Sequence, residues 1–242
     1  MKNILKNKAT ILQIPFDALT KAQALETLMG YFEVEGGGNH LVVTPNPEAV
    51  MLAQRSPYFM QIIQGADLVL ADGIGIIIAA HILKLHIPER VPGCDISLEL
   101  LKKSKGKKVY LLGSAPGVAE TAMAKLRSQG INVVGAHDGY FNEETEKNIL
   151  NELQSLNVDI LIVGMGMPRQ EEWTAKHLHT LPCKITLCLG GSIDIFAGKV
   201  QRAPKIMRKI GLEWLYRLIT NPWRAKRMLD LPRFIWAIFR TK

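Results

Sequence analysis

The 242-residue chain predicts an α/β fold on a largely parallel sheet, and three observations carry that expectation. From about residue 10 to 200, short runs rich in Val, Leu and Ile alternate with amphipathic patterns of helical period. The runs are apolar throughout rather than every second residue, which is the pattern of strands covered on both faces. After residue 190 no strand-like run recurs and only helical patterns remain. Together these describe a Rossmann-like sheet flanked by helices, with a C-terminal helical appendage.

In chain order, strands are expected at 10–14, 40–43, 67–71, 108–112, 131–135, 159–163 and 185–189. Helices are expected near 20–34, 47–64, 73–85, 94–104, 116–129, 143–156 and 168–179. Beyond Ala203-Pro204 come helical patterns at 204–220, 222–230 and 232–240, with Pro222 and Pro232 in first-turn positions that tolerate a missing N–H. The expected division is a 1–203 α/β core and a 204–242 appendage. No internal repeat or low-complexity segment is present.

Charge separates the two parts. Residues 199–242 hold 12 Lys and Arg against Glu213 and Asp230, a net of +10, while the rest of the chain nets −2. An excess confined to one end points to an anionic partner, nucleic acid or a membrane surface. Three cysteines, Cys94, Cys183 and Cys188, are too few and too odd in number for a disulfide framework and suggest a reducing compartment. Cys183 and Cys188 lack a completing zinc set, and His177 and His179 face apart on a helix, so no metal site is expected. No secretory leader is expected, because no apolar core follows the first lysines, and no run reaches the ~18 apolar residues of a membrane span.

Ligands of parallel sheets bind beyond the carboxyl ends of the strands. There the sequence places Thr44-Pro45-Asn46-Pro47-Glu48 and Ala71-Asp72-Gly73-Ile74-Gly75, a hydroxyl, a carboxamide and a carboxylate along one rim. Three glycine turns follow other strands: Gly113-Ser114-Ala115-Pro116-Gly117, Gly164-Met165-Gly166-Met167-Pro168 and Gly190-Gly191-Ser192. A strand, glycine turn and helix start direct backbone N–H groups and the helix dipole at an anion. None is GxGxxG or a P-loop, and the first taken alone serves equally as a tight strand-to-helix turn. Yet three on one edge favour a nucleotide or diphosphate, with Gly113, Ser114, Gly164 and Gly191 as its cradle. Asp194 can bond ribose hydroxyls or cap a helix, and Tyr140 can stack on a base or pack in the core.

In order, these motifs, with Arg90-Val91-Pro92-Gly93-Cys94-Asp95, Pro168-Arg169-Gln170-Glu171, Ala197-Gly198, Arg202-Ala203-Pro204 and Gly211-Leu212-Glu213-Trp214, resemble the WecG/TagA/CpsF family of bacterial glycosyltransferases over nearly the whole chain. The resemblance implies an inverting transferase. It would move N-acetylmannosamine or its uronate from a UDP donor to N-acetylglucosamine on undecaprenyl diphosphate, in the synthesis of teichoic acid or other cell-surface polysaccharide. It implies a metal-independent reaction with no cofactor besides the UDP-sugar, on the cytoplasmic face of the plasma membrane, where the protein would be peripheral. Self-association into a homo-oligomer stays open.

The resemblance assigns Asp72 as the base that takes the acceptor hydroxyl proton; helix capping is the competing role. Gly73 and Gly75 would let substrate approach the backbone. Thr44 and Asn46 suit sugar hydroxyls or an acetamido group, or else cap a helix. Arg90 would bind the diphosphate or a sugar hydroxyl, or else be a solvated loop arginine, and Gln170 would bond the donor sugar or else be a surface glutamine. Arg217, Arg224 and Arg227 of the tail would stabilise departing UDP, or else form a solvated basic helix face. The tail's Ile206, Ile210, Trp214 and Leu218 recur every four residues beside basic residues, a pattern suited to a membrane interface. Two other readings compete. A nucleotide-dependent oxidoreductase is disfavoured by the missing GxGxxG, and a nucleic-acid-binding protein by the apolar character of the tail around its aromatic residues.

Overall fold

A computed structural model describes residues 7–34, 38–220 and 229–241. In chain order the elements are β1 (Lys8–Ile11), β2 (Ile14–Asp17), α1 (Lys21–Gly30), a 3-10 turn (Tyr31–Glu33), β3 (His40–Val43), α2 (Pro47–Arg55), α3 (Pro57–Gly65), β4 (Leu68–Val69), α4 (Ile74–Ile82), α5 (Gly93–Lys103), β5 (Val109–Gly113), α6 (Val118–Ser128), β6 (Val133–His137), α7 (Glu143–Leu156), β7 (Ile160–Gly164), α8 (Arg169–His177), β8 (Ile185–Cys188), α9 (Ser192–Phe196), α10 (Lys205–Lys209), α11 (Glu213–Thr220) and α12 (Asp230–Arg240). The α/β class and the parallel sheet are as expected. The chain forms two compact units, one from Met1–Ala24, Thr44–Pro92 and Arg202–Lys242, the other from Leu25–Val43 and Gly93–Gln201.

The second unit carries five strands in the order β3-β8-β7-β5-β6, each neighbouring pair parallel. Residues of β5, β7 and β8 are buried along their full length, as their unbroken apolar sequences require. A core of Tyr110, Leu112, Leu153, Leu161, Val163 and Trp173 joins the sheet to α7 and α8. β5 leads to β6 on one side and β7 leads to β8 on the other, so the order reverses between β5 and β7. Such a switch point opens a crevice at the strand ends.

The first unit opens on a feature the sequence reading took for one strand at 10–14. It is an antiparallel hairpin, β1 with β2, paired from Lys8↔Asp17 to Ile11↔Ile14. Its turn residues Leu12 and Gln13 both have positive φ, +46° and +66°. Gln54 and Gln64 brace the turn by donating to the Leu12 and Gln13 carbonyls at 2.8 and 2.9 Å. The expected 47–64 helix is two, because Pro57 cannot continue the ladder of α2; Ser56 instead caps α3 by accepting from Phe59 N.

The expected 204–220 helix is likewise divided, into α10 and α11 on either side of Gly211. That break interrupts the four-residue stripe: Ile206 and Ile210 are exposed, while Trp214 and Leu218 are half-buried. α12 packs on α2 and α4, with Phe234 and Ile238 fully buried. Arg55 grips the first residue of α12 through two bonds of 2.9 Å from its guanidinium to the Asp230 carboxylate. The tail's last helix is thus packed into the first unit, of which it is part.

Candidate active site

In the first unit the two polar loops named by the sequence meet through the backbone. Asp72 N donates to Pro45 O at 3.3 Å, and Val91 N donates to Ala71 O at 2.9 Å. The carboxylate-bearing loop is therefore pinned on one side to Thr44–Asn46 and on the other to the segment that carries Arg90. Gly73, not Asp72, occupies the N-cap position of α4, directly after the carboxylate-bearing residue. Asn46 does cap: its Oδ1 accepts from Ala49 N at 2.9 Å and starts α2, with Pro47 in the first turn. Thr44 is half-buried beside it.

The glycines beside Asp72 do different work from that expected. A Cβ at Gly75 would lie 2.5 Å from Pro47 Cγ and 3.3 Å from Leu231 Cδ1, so its missing side chain makes room for the protein, not for substrate. Gly73 has φ +90°, a conformation that turns the chain sharply into α4. Arg90 is also engaged by the protein. It donates to Arg208 O at 2.9 Å and pairs with Glu213 at 3.8 Å.

In the second unit the three glycine turns lie at the ends of β5, β7 and β8 and are stitched together. Ser114 N donates to Gly164 O, Gly139 N to Ser114 O and Leu189 N to Val163 O, all at 2.9 Å. Gly113 has φ +143°, and a Cβ there would run into the Gly164 backbone; one at Gly164 would lie 2.7 Å from Gly190 O. Backbones this close tolerate no side chain, which is why the turns are glycine. Ser114 Oγ donates to Asp194 Oδ1 at 2.8 Å, so the two residues expected around a nucleotide do meet. Gly191 immediately precedes α9. Tyr140 is 72% exposed, which removes the core-packing alternative. The Arg169 guanidinium lies 6.0 Å from its ring and 5.5 Å from that of Phe141. Arg169 drew no role from the sequence although it sits inside the motif.

Gln170 differs most from expectation. Its side chain is buried, and Oε1 accepts from Gly190 N at 2.9 Å and Gly166 N at 3.2 Å. Nε2 donates to Glu171 Oε1 at 2.7 Å. Gln170 thus braces two turns from behind. Glu171, also missed by the sequence reading, is buried with Oε2 unpaired, and burial pushes its carboxyl up to about 7. Burial also pushes the Cys183 thiol up to about 12 and raises that of Cys188 well above the ordinary value, so neither is a thiolate nucleophile.

Arg217 lies on α11, and Arg224 and Arg227 fall outside the described residues. Among the described residues, no group of three or more His, Cys, Asp or Glu side chains could hold a metal ion. No helix among them is long and apolar enough to cross a membrane.

Residues 9–242 match the sequence profile of the Glycosyl transferase WecG/TagA/CpsF family. The chain is 35% identical over 238 residues to the N-acetylglucosaminyldiphosphoundecaprenol N-acetyl-beta-D-mannosaminyltransferase of Staphylococcus aureus strain MRSA252, covering 97% of this chain and 93% of the relative. The proteins of the same name from strains NCTC 8325 / PS 47 and N315 are 34% identical with the same coverage. These matches lend no support to the oxidoreductase and nucleic-acid readings.

Proposed function

Because the chain belongs to the WecG/TagA/CpsF family of glycosyltransferases, we propose that it moves an N-acetylated amino sugar, N-acetylmannosamine or its uronate, from UDP to N-acetylglucosamine on undecaprenyl diphosphate. The acceptor follows from the names of the Staphylococcus aureus relatives, which specify a diphosphoundecaprenol-linked N-acetylglucosamine and a mannosaminyl group. The observation that carries the donor is the set of glycine turns at the ends of β5, β7 and β8, with Ser114 and Asp194 joined at 2.8 Å beside them. Backbone N–H groups at a switch point suit a diphosphate, Asp194 a ribose and exposed Tyr140 a uracil face.

Transfer with inversion is a single displacement. The acceptor hydroxyl oxygen forms a bond to the anomeric carbon while the bond from that carbon to the UDP β-phosphate oxygen breaks. The hydroxyl proton passes to the Asp72 carboxylate, and the bonding pair leaves with UDP. Thr44 and the Asn46 amide nitrogen offer polar groups to the sugars. The departing diphosphate gains negative charge, which Arg217, Arg224 and Arg227 neutralise in place of a metal.

The tail brings this chemistry to its lipid substrate. Ile206, Ile210, Ile219, Trp236 and Phe239 are each more than half exposed on a segment of net charge +10. Exposed apolar residues among cations suit the interface of an anionic leaflet, with about 1 kcal/mol from each Lys or Arg near it. The protein then works as a peripheral enzyme on the cytoplasmic leaflet. A screen of UDP-sugars against a lipid-diphosphate N-acetylglucosamine acceptor, read as UDP release, tests the reading. UDP-N-acetylmannosamine or its uronate should turn over fastest; turnover with neither donor would refute the assignment.

A further inference from the structure

We infer that Glu213 is a positioning residue that ties the helical tail to the two segments bracketing Asp72. Glu213 is the first residue of α11 and is 7% exposed, in a tail otherwise rich in cations. Its Oε2 lies 3.8 Å from Arg90 Nη1 and 3.5 Å from Arg202 Nη2, and both arginine side chains are largely buried. A carboxylate at the start of a helix is further favoured by the helix dipole. Arg90 does not stop at this pair. Its Nη2 donates to Arg208 O at the end of α10, while Arg208 Nε donates to Ala203 O at 3.1 Å. One guanidinium therefore spans the break between α10 and α11 and holds the two short helices in register.

The tie reaches Asp72 from both sides. Next to Arg90, Val91 N donates to Ala71 O, the residue before Asp72. At the break itself, a Cβ on Gly211 would lie 2.7 Å from Ile74 Cβ, so the tail turn sits directly on the residue two beyond Asp72. Ala71 and Ile74 are thus both held by groups whose placement depends on Glu213. A tail displaced from this arrangement moves the peptide that carries the base. This assigns Arg90 a role in holding the tail rather than in binding substrate.

The catalytic consequence rests on Asp72 serving as the base, whereas the tie itself does not. The test is a double-mutant cycle in the full-length protein with Glu213→Gln and Arg90→Lys, read in three ways: kcat against donor KM, UDP affinity, and the rate of tryptic cleavage after Lys205 and Arg208. Each single variant should lower kcat by about tenfold with donor KM and UDP affinity little changed. The double variant should be no worse than the poorer single, the non-additivity of residues sharing one network. Cleavage of the tail should quicken in all three. If Glu213→Gln does not fold, Glu213→Asp, which keeps the charge and shortens the reach, carries the same cycle. Additive losses, or a Glu213→Gln enzyme with wild-type kcat and wild-type cleavage, would overturn the inference. Were Asp72 not the base, Asp72→Asn would stay active while the cleavage rates and their non-additivity still reported the tie.

Discussion

Ser114 and Asp194 stand 80 residues apart in the chain, and the Ser114 hydroxyl donates to the Asp194 carboxylate at 2.8 Å. The bond locks the turn after β5 to the helix after β8, across the ends of the intervening strand β7. Ser114 holds φ +66°, unusual for a residue with a side chain. Ser114→Ala should keep the fold and weaken UDP binding by roughly tenfold, the value of one bond to a charged group. Titration calorimetry with UDP measures it; unchanged affinity would remove this pair from the nucleotide site.

Glu171 predicts a dependence of stability on pH. Its carboxyl is raised from 4.5 to about 7 by burial, so the folded chain keeps a proton that the unfolded chain has lost across that window. The stability due to this group is complete below about 4.5, declines as pH rises and is lost above about 7. Glu171→Gln removes the titration. Denaturant unfolding should therefore show the variant gaining on wild type between pH 5 and pH 8, by on the order of 1–3 kcal/mol. A difference that stays flat with pH would mean the carboxyl is not protonated in the fold.

Phe234 and Trp236 separate the packing of α12 from its proposed membrane docking. Phe234 is fully buried, and Phe234→Ala should cost about 3–5 kcal/mol in unfolding free energy. Trp236 and Phe239 are 61% and 59% exposed, so their replacement by Ala should cost little stability but weaken binding to anionic liposomes. Because α12 covers α2 and α4, these surface variants test membrane docking more cleanly than removal of the tail. Liposome binding unaffected by both exposed substitutions would place docking elsewhere.

Chelation tests the charge assignment. If arginines and backbone N–H groups take the place of a metal beside UDP, turnover in EDTA should equal that in buffer. Loss of activity restored by Mg²⁺ or Mn²⁺ would contradict it.

The parallel sheet was legible because a strand covered on both faces has no choice of pattern; β3 at 40–43 and α7 at 143–156 fall where the residues place them. The hairpin was not, because its turn is made by Leu12 and Gln13, which carry none of the Asn-Gly chemistry that marks such turns. Those residues are held by Gln54 and Gln64, contacts that local sequence does not encode. In the candidate site, residue types singled out the loops but not their bonds. Gln170 faces two glycine N–H groups rather than an open cleft, and Arg90 faces the tail, each through partners distant in sequence. The carboxylates Glu171 and Glu213 drew no role from the sequence, because only the fold encloses them.

The central claim is that Asp72 takes the acceptor proton, and Asp72→Asn tests it most directly. The amide keeps the shape of the side chain but cannot accept the proton. Measured side by side, its turnover in the lipid-acceptor assay should fall by ~10²–10⁴-fold while UDP affinity and melting temperature stay near wild type. A variant that binds UDP normally and keeps more than about a tenth of wild-type turnover, with chemistry rate-limiting, would show that another group is the base.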